Sequence, residues 1–317
     1  MKLCFLMPVY NDWAPAEQLI QKLDEVLAAS SLHAHVVLVD DHSLQPPDAD
    51  FLKQPLNAVS SVEIVRLRRN LGHQRAICIG LAHIQKNVPC DAAVIMDADG
   101  QDKPEDVPRL LQRFKDSGGS HIVFAERTKR LEPIVFRIGY HLYRALHWLL
   151  TGIPVRIGNF SVVATNHLGS LVVVPELWNH YAAAVLKARL PYETIPAARG
   201  ARFGGKSHMR LVGLVVHGLS ALSVFAEIVC VRLLLATLAL LVVALGMIGV
   251  VVCVRLATDL AIPGWATYTG LLLLVLSVQL IGFAAGLSFL VLFNRNNMTF
   301  LPARDHGWFI DDVRRAR

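Results

Sequence analysis

The chain has 317 residues, 54% of them hydrophobic, and a formal charge of +6 at pH 7, with a mean hydropathy of +0.44. That balance excludes an ordinary soluble enzyme; the apolar excess gathers after residue 210, leaving room for one α/β domain of about 200 residues plus something smaller. The basic residues are scattered or flank apolar stretches, as in a membrane-facing protein with basic cytoplasmic edges and unlike a nucleic-acid binder.

Leu3–Val9 reads as a strand ending in Pro8-Val9-Tyr10-Asn11-Asp12, and a helical pattern runs from Ala14 to about Ala29. This opening run is too short for a signal peptide, so the catalytic part is expected in the cytosol. Ala34–Val39 is a second strand, ending in Asp40-Asp41-His42-Ser43. Val62–Leu67 is a third, followed by Arg69-Asn70-Leu71-Gly72-His73-Gln74 and a helix to roughly Gln85. Ala92–Met96 is the fourth. Strands alternating with helices predict βαβ units and a mostly parallel sheet. Their polar ends then gather Pro8, Asp12, Asp41, Asn70, Asp97 and Asp99 at one crevice. The five cysteines (Cys4, Cys78, Cys90, Cys230, Cys253) form no Cys-x-x-Cys pair and read as buried thiols of a reducing compartment.

After the fourth strand come Asp97-Ala98-Asp99-Gly100-Gln101-Asp102, and Pro104 and Glu105 open a helix. Two carboxylates one residue apart suit a hard divalent cation that keeps substrate phosphates among its ligands; a solvated acidic turn is the competing reading. Neither Gly-x-Gly-x-x-Gly nor Gly-x-x-x-x-Gly-Lys-Ser/Thr occurs, so the glycine-rich phosphate cradles are missing. A cation at the Asp-x-Asp pair is the remaining way to neutralise a diphosphate.

Beyond the strand candidate Ile122–Ala125 the chain turns basic, with Arg127, Lys129, Arg130, Arg137, Arg144 and Arg156 among Phe136, Tyr140, Tyr143, Leu146, Trp148, Leu149 and Leu150. Residues 133–150 read as a helix lying in the membrane interface or as a core helix with one solvated face. The arginines suit bidentate pairing with phosphate. Gly158-Asn159-Phe160 precedes the apolar run Ser161–Ala164. Arg199 to Arg210, with Gly204, Gly205, Lys206 and Ser207, reads as a loop closing over an anion or as a flexible basic linker.

Residues 209–232 are amphipathic. Leu233–Val254 is uncharged, and Leu271–Phe293 has only Gln279 as a strongly polar interruption. Each run is long enough at ~1.5 Å per residue to cross a ~30 Å hydrocarbon core. The link between them holds one arginine while both outer flanks hold several. The positive-inside rule therefore puts both ends, including a basic tail over 294–317, in the cytosol. The expected organisation is a catalytic domain over 1–208, a juxtamembrane helix over 209–232, a hairpin over 233–293, and that tail.

Taken in order, these motifs resemble family-2 glycosyltransferases of the GT-A fold, in particular membrane-anchored polyprenyl-phosphate glycosyltransferases such as dolichyl-phosphate mannose synthase and bacterial undecaprenyl-phosphate sugar transferases. Pro8-Val9-Tyr10-Asn11-Asp12 is similar to the family's Pro-x-Tyr-Asn-Glu, and Asp40-Asp41-His42-Ser43 to Asp-Asp-Gly-Ser. Arg69-Asn70-Leu71-Gly72 is similar to Arg-Asn-x-Gly, and Asp97 through Glu105 to Asp-Ala-Asp-Leu-Gln-Asp-Pro-Pro-Glu. Arg202-Phe203-Gly204-Gly205-Lys206-Ser207 fits Arg-x-x-Gly-x-Ser. The resemblance covers nearly the whole length and implies an α/β GT-A domain plus interfacial and two transmembrane helices. It implies inverting transfer of a sugar from a nucleotide-sugar to a polyprenyl phosphate, helped by Mg²⁺ or Mn²⁺, at a bacterial inner membrane. By motif, Pro8, Tyr10, Asp12, Asp41 and Asn70 would hold the nucleoside and Asp97 the donor, with Asp99 and Gln101 at the metal. Arg127, Arg137 and Arg202 would face phosphates, and Asn159, Lys206 and Ser207 the acceptor.

Two positions depart from the pattern. Asn159 stands where the family often has aspartate, and His208 where lysine is common. A phosphate monoester is already largely ionised at neutral pH, so such an acceptor has little need of a base at 159. Rival expectations are transfer to another lipid or glycan, against which stands the absence of Gln-x-x-Arg-Trp, and a non-catalytic scaffold or flippase subunit. The hairpin could also pack against a copy of itself as a homo-oligomer.

Overall fold

The computed structural model describes residues 1–127, 134–154, 157–204, 211–258, 262, 264–296 and 300–316. Two compact units emerge: Met1–Leu142, Val155–Val224 and Thr299–Arg317 form one, and Tyr143–Pro154 with Phe225–Met298 the other.

The first unit is built on an eight-stranded sheet. Its strands are β1 (Leu3–Val9), β2 (Ala34–Asp40), β3 (Val59–Leu67), β4 (Ala92–Ile95), β5 (Ile122–Arg127), β6 (Ser161–Ala164), β7 (Tyr192–Ala197) and β8 (Ile310–Arg315), in the order β7-β5-β6-β4-β1-β2-β3-β8. β1 pairs in parallel with β2 and β4, β2 with β3, and β5 with β7. β6 runs antiparallel to β4 and β5, and β8 antiparallel to β3. Every residue of β1, β4 and β6 is buried, as expected of central strands covered on both faces.

Alternation along β1 sends Phe5 and Met7 to one face and Cys4 and Leu6 to the other. Helices α1 (Trp13–Ala29) and α3 (Val107–Asp116) cover the first face through Leu19, Leu23, Leu110 and Phe114. Helix α2 (His73–Asn87) covers the second through Ile77, Ile79 and Ile84. The approach of α2 is close enough to require a glycine: a Cβ on Gly80 would stand 2.3 Å from Leu6 Cδ1 and 2.7 Å from Val39 Cγ2. Asp24 of α1, 4% exposed, accepts hydrogen bonds from the amides of Asn57, Ala58 and Val59 and so sets the start of β3.

Residues 300–316 rejoin this sheet. The segment read as a basic tail places Trp178 against Phe300 and Phe309 and then adds β8 as an edge strand. The segment 209–232 is not one helix: α7 (Leu211–Ser223) ends before Val224, and α8 (Ala226–Ala257) begins after Phe225. Residues 209 and 210 lie outside the described residues.

In the second unit α8 packs along α9 (Trp265–Asn296). Both are long and apolar enough to cross a membrane, and only 11% and 6% of their most apolar windows are buried in the protein. Exposed apolar helices of this length mark a membrane-associated chain. Thr237, Ser277 and Ser288 turn their hydroxyls onto the carbonyls of Leu233, Leu273 and Ala284, so these polar groups need no water. Within the same unit Arg232 Nη1 donates to Leu149 O at 2.8 Å, at the C-terminal turn of α4 (Ile134–Thr151). Along α4, Leu142, Leu146, Trp148 and Leu149 are exposed.

Candidate active site

The strand order reverses at β1, flanked by β2 and β4, and open α/β sheets bind ligands at the carboxyl ends of strands at such a point. There the turn after β4 is organised by its own carboxylates. Asp102 Oδ2 accepts the Asp97 amide at 2.9 Å, and Asp99 Oδ1 accepts the Gln101 amide at 2.9 Å. Gly100 takes φ +81°, a left-handed conformation costly for other residues. A Cβ there would stand 2.4 Å from the Phe203 ring.

The basic loop is strapped onto this turn. Phe203 N donates to Asp99 O at 3.0 Å and Gly200 N to Gln101 O at 2.8 Å. Arg202 Nη2 lies 2.8 Å from Asp12 Oδ2, and its Nη1 lies 3.5 Å from Asp99 Oδ2. Arg199 donates to Gln101 Oε1, and Lys22 Nζ sits 4.3 Å above the Phe203 ring. Burial pushes the Asp99 carboxyl above its usual range, and Asp97 adds to this; the Gln101 amide, Arg202 and Arg199 oppose without cancelling it. A desolvated carboxylate in this state gains from a cation beside it.

The loops after β1 and β2 are stitched together. Asn11 (φ 59°) accepts the Leu44 amide through Oδ1 and gives its own N–H to Ser43 Oγ. A groove of about 400 Å³ beside them is lined by Asn11, Trp13, Leu44, Gln45, Pro46 and Asp48. Tyr10 is exposed at its edge of the sheet while Pro8 is buried within β1. Asp41 is 3% exposed, and its two carboxylate oxygens accept the amides of Leu71 and Gly72. Asn70 Nδ2 donates to Asp41 O. Burial raises the Asp41 carboxyl, and those two amides counter it. Asp41 thus holds the turn that starts α2.

Next to Asp97, Asn159 joins a chain of hydrogen bonds whose direction is fixed at one end. Gln74 Oε1 accepts the Tyr181 amide at 2.8 Å, so Gln74 Nε2 is the end that donates to Asn159 Oδ1, at 3.1 Å. Asn159 Nδ2 therefore faces His73 Nε2 at 3.0 Å and Asp97 Oδ1 at 3.5 Å. His73 Nε2 is itself 3.1 Å from Asp97 Oδ1. Crowding by neighbouring atoms alone would lower the His73 imidazole, although its side chain stays 39% exposed; Asp97, with Asp102 and Asp99 behind it, outweighs that and raises it.

Residues 4–165, just over half of the chain, match the family described as Glycosyl transferase family 2. The chain belongs to glycosyl transferase family 2. It is therefore a glycosyltransferase. The uncharacterized glycosyltransferase YkcC of Bacillus subtilis (strain 168) is 26% identical over 86% of this chain and 85% of its own. Undecaprenyl-phosphate 4-deoxy-4-formamido-L-arabinose transferase of Klebsiella pneumoniae (strain 342) is 25% identical over 89% and 85%. Dolichol-phosphate mannosyltransferase of Pyrococcus furiosus is 33% identical over 40% of this chain and 33% of its own. The crystal structure of mannosyl-3-phosphoglycerate synthase from Rubrobacter xylanophilus overlays with a TM-score of 0.50 at 14% identity, covering 72% of this chain and 73% of that one. It shares the GT-A-like fold.

In this family-2 enzyme Arg202 joins Asp12 to Asp99, Arg199 reaches Gln101 of the same turn, and Asn159 meets Asp97. The side chains of Arg127 and Arg137 lie outside the described residues, as do Lys206, Ser207 and His208. Reading the sequence missed the parts of Gln74, Arg199 and Phe203. Gln74 stands two residues after the glycine of the Arg-Asn-x-Gly turn and Arg199 opens the basic loop, so both carried a signal; Phe203 did not.

Among the described residues no group of three or more His, Cys, Asp or Glu could hold a metal ion. One desolvated carboxylate, Asp99, and the amide oxygen of Gln101 make a partial oxygen set. Such a set fits a hard cation that draws its remaining ligands from substrate phosphates and water.

Proposed function

We propose that this glycosyltransferase moves a sugar, with inversion, from a nucleotide-sugar to a membrane polyprenyl phosphate. The observation that carries the reading is the meeting of Arg202 with Asp12 and Asp99 beside Asp97, on a chain with two exposed membrane-length helices. The relatives named for undecaprenyl-phosphate and dolichol-phosphate transfer support the acceptor class.

The nucleoside lies across the β1 and β2 loops, against Tyr10 and Asp12 just beyond the strand that buries Pro8, in a cradle held by Asp41 and Asn70. Asp97 positions the donor sugar. Asp99 and Gln101 would hold Mg²⁺ or Mn²⁺, which when bound neutralises charge on the donor diphosphate. Arg202, with Arg127 and Arg137 as further candidates, stabilises the charge developing on the leaving nucleoside diphosphate. Asn159, Lys206 and Ser207 address the acceptor, whose phosphate oxygen attacks the anomeric carbon. Asn159 cannot serve as a base, and the fixed direction of its amide supports an acceptor that arrives already ionised.

The catalytic part takes in residues 1–208 together with the returning segment that ends in β8, and residues 233–293 form the membrane hairpin. The chain leaves the sheet-bearing unit after Val224 and comes back to it through β8. In this reading the chain crosses the membrane twice and both termini lie in the cytosol, which the arginines flanking the hairpin support. The test incubates the detergent-purified protein with undecaprenyl phosphate, a panel of labelled nucleotide-sugars and Mg²⁺ or Mn²⁺. Label enters the organic phase, and Asp99→Ala abolishes this while still fractionating with membranes. Normal turnover by Asp99→Ala would refute the site.

A further inference from the structure

Tyr181 is wholly buried, and its ring packs on Phe124 with centroids 5.9 Å apart. It opens the helix Tyr181–Lys187, so its amide is one of the first-turn donors that a helix leaves without a partner in its own backbone. Gln74 Oε1 takes that amide at 2.8 Å. The side chain of the same residue reaches β6: Tyr181 Oη and Ser161 Oγ stand 2.6 Å apart, and Ser161 Oγ donates to Asn159 O at 2.9 Å. A carbonyl only accepts and a serine hydroxyl has one proton to give, so the Tyr181 hydroxyl is the donor to Ser161. Burial pushes the phenol well above its ordinary range, with Ser161 opposing, which keeps that proton in place.

Two hydrogen-bonded arms therefore leave Tyr181, and both end on Asn159. One passes through Gln74 and fixes the side-chain amide; the other passes through Ser161 and holds the main-chain carbonyl. Gln74, Ser161 and Tyr181 are all buried, which shields both arms from water. The start of α2 and the segment ahead of Tyr181 are joined a second time by the Arg75 guanidinium, 5.0 Å from the centre of the Trp178 ring. What the arms deliver is a direction: Asn159 turns Nδ2, and not Oδ1, toward Asp97 Oδ1. The reversed amide would set an oxygen against a carboxylate oxygen, and an aspartate at 159 would set a charged one there.

We propose that Gln74 and Tyr181 are positioning residues for the donor sugar: they aim the Asn159 amide at the Asp97 carboxylate and so hold that carboxylate in the orientation that meets the sugar. This rests on the reading of Asp97 as the residue that positions the donor, and the two fail differently. The test measures binding by calorimetry, without acceptor, on the detergent-purified full chain with Mg²⁺ or Mn²⁺. Its probes are the nucleotide-sugar selected by the transfer assay and the corresponding nucleoside diphosphate. Gln74→Glu keeps an oxygen for the Tyr181 amide but loses the N–H, so Asn159 turns Nδ2 toward position 74 and away from Asp97. Its Kd for the nucleotide-sugar is expected to rise about tenfold, the loss of one hydrogen bond to a charged group, while its Kd for the nucleoside diphosphate stays at the wild-type value. Asn159→Ala is expected to show the same rise, and the double variant no larger one, because the two residues act in series. Gln74→Met removes the N–H without adding a charge and is expected to give the same pattern, which covers a glutamate variant that folds poorly. Tyr181→Phe keeps the ring and the main-chain amide; it is expected to cost less, and nothing further once Asn159 is alanine. A purely structural role would weaken both probes alike and would add to the loss in Asn159→Ala. Either result, or wild-type nucleotide-sugar affinity in both Gln74 variants, would overturn the proposal while leaving the function standing. No transfer by wild type to undecaprenyl phosphate from any nucleotide-sugar would instead refute the function, and this assignment with it.

Discussion

Replacing Gly100 by alanine tests whether the basic loop must lie on the Asp-x-Asp turn for transfer. At φ +81° an added Cβ costs about 1–2 kcal/mol in backbone strain. The same atom would stand 2.4 to 2.6 Å from three carbons of the Phe203 ring, inside any tolerable contact, so the ring must leave. With it go the hydrogen bonds from Phe203 N to Asp99 O and from Gly200 N to Gln101 O, each contributing about 1 kcal/mol net. The strap is then destabilised by about 3–4 kcal/mol. Arg202 no longer stands between Asp12 and Asp99, and turnover falls by about 100-fold or more at ~1.4 kcal/mol per decade. Trypsin reports the opening directly, because Arg199 and Arg202 become cleavable. Gly100→Ala with wild-type turnover and wild-type resistance to trypsin would refute this reasoning; Phe203→Ala, which opens the loop without backbone strain, is expected to show the same proteolysis with a smaller loss of melting temperature.

Removing divalent ions with EDTA is expected to abolish transfer, with Mg²⁺ or Mn²⁺ restoring it; full activity in EDTA would exclude a metal at Asp99 and Gln101. Asp24→Ala is expected to destabilise the protein by about 3 kcal/mol or more, read as denaturant midpoint, because it strips the acceptor from the Asn57, Ala58 and Val59 amides. The hydrogen bond from His83 Nε2, 2.6 Å away, is the main reason the Glu63 carboxyl is held below its ordinary 4.5. Its stabilising contribution is present above pH 4.5 and is lost as pH falls through the lower folded-state value. The melting-temperature gap between wild type and Glu63→Gln is thus expected to shrink as pH drops below 4.5 and to hold steady at neutral pH.

Local pattern was enough for the elements that bury apolar surface continuously or with a clean period. β1 and β6 occur at the boundaries that their apolar runs indicate, and α8 and α9 extend somewhat past the uncharged stretches that announced them. The Asp-x-Asp turn was legible for the same reason: an apolar strand must end where carboxylates begin. Tertiary structure alone decided the rest, because those features depend on residues distant in the chain. β8, with the polar pattern Ile310-Asp311-Asp312-Val313-Arg314-Arg315, is a strand only because the edge of β3 offers it unpaired backbone groups. The direction of the Asn159 amide is set by the Tyr181 main chain acting through Gln74. Phe203 and Gly100 meet across a loop, each filling space the other leaves. Apolar periodicity reports what a segment buries; it does not report which distant segment supplies the hydrogen bond, the ring or the charge that completes a site.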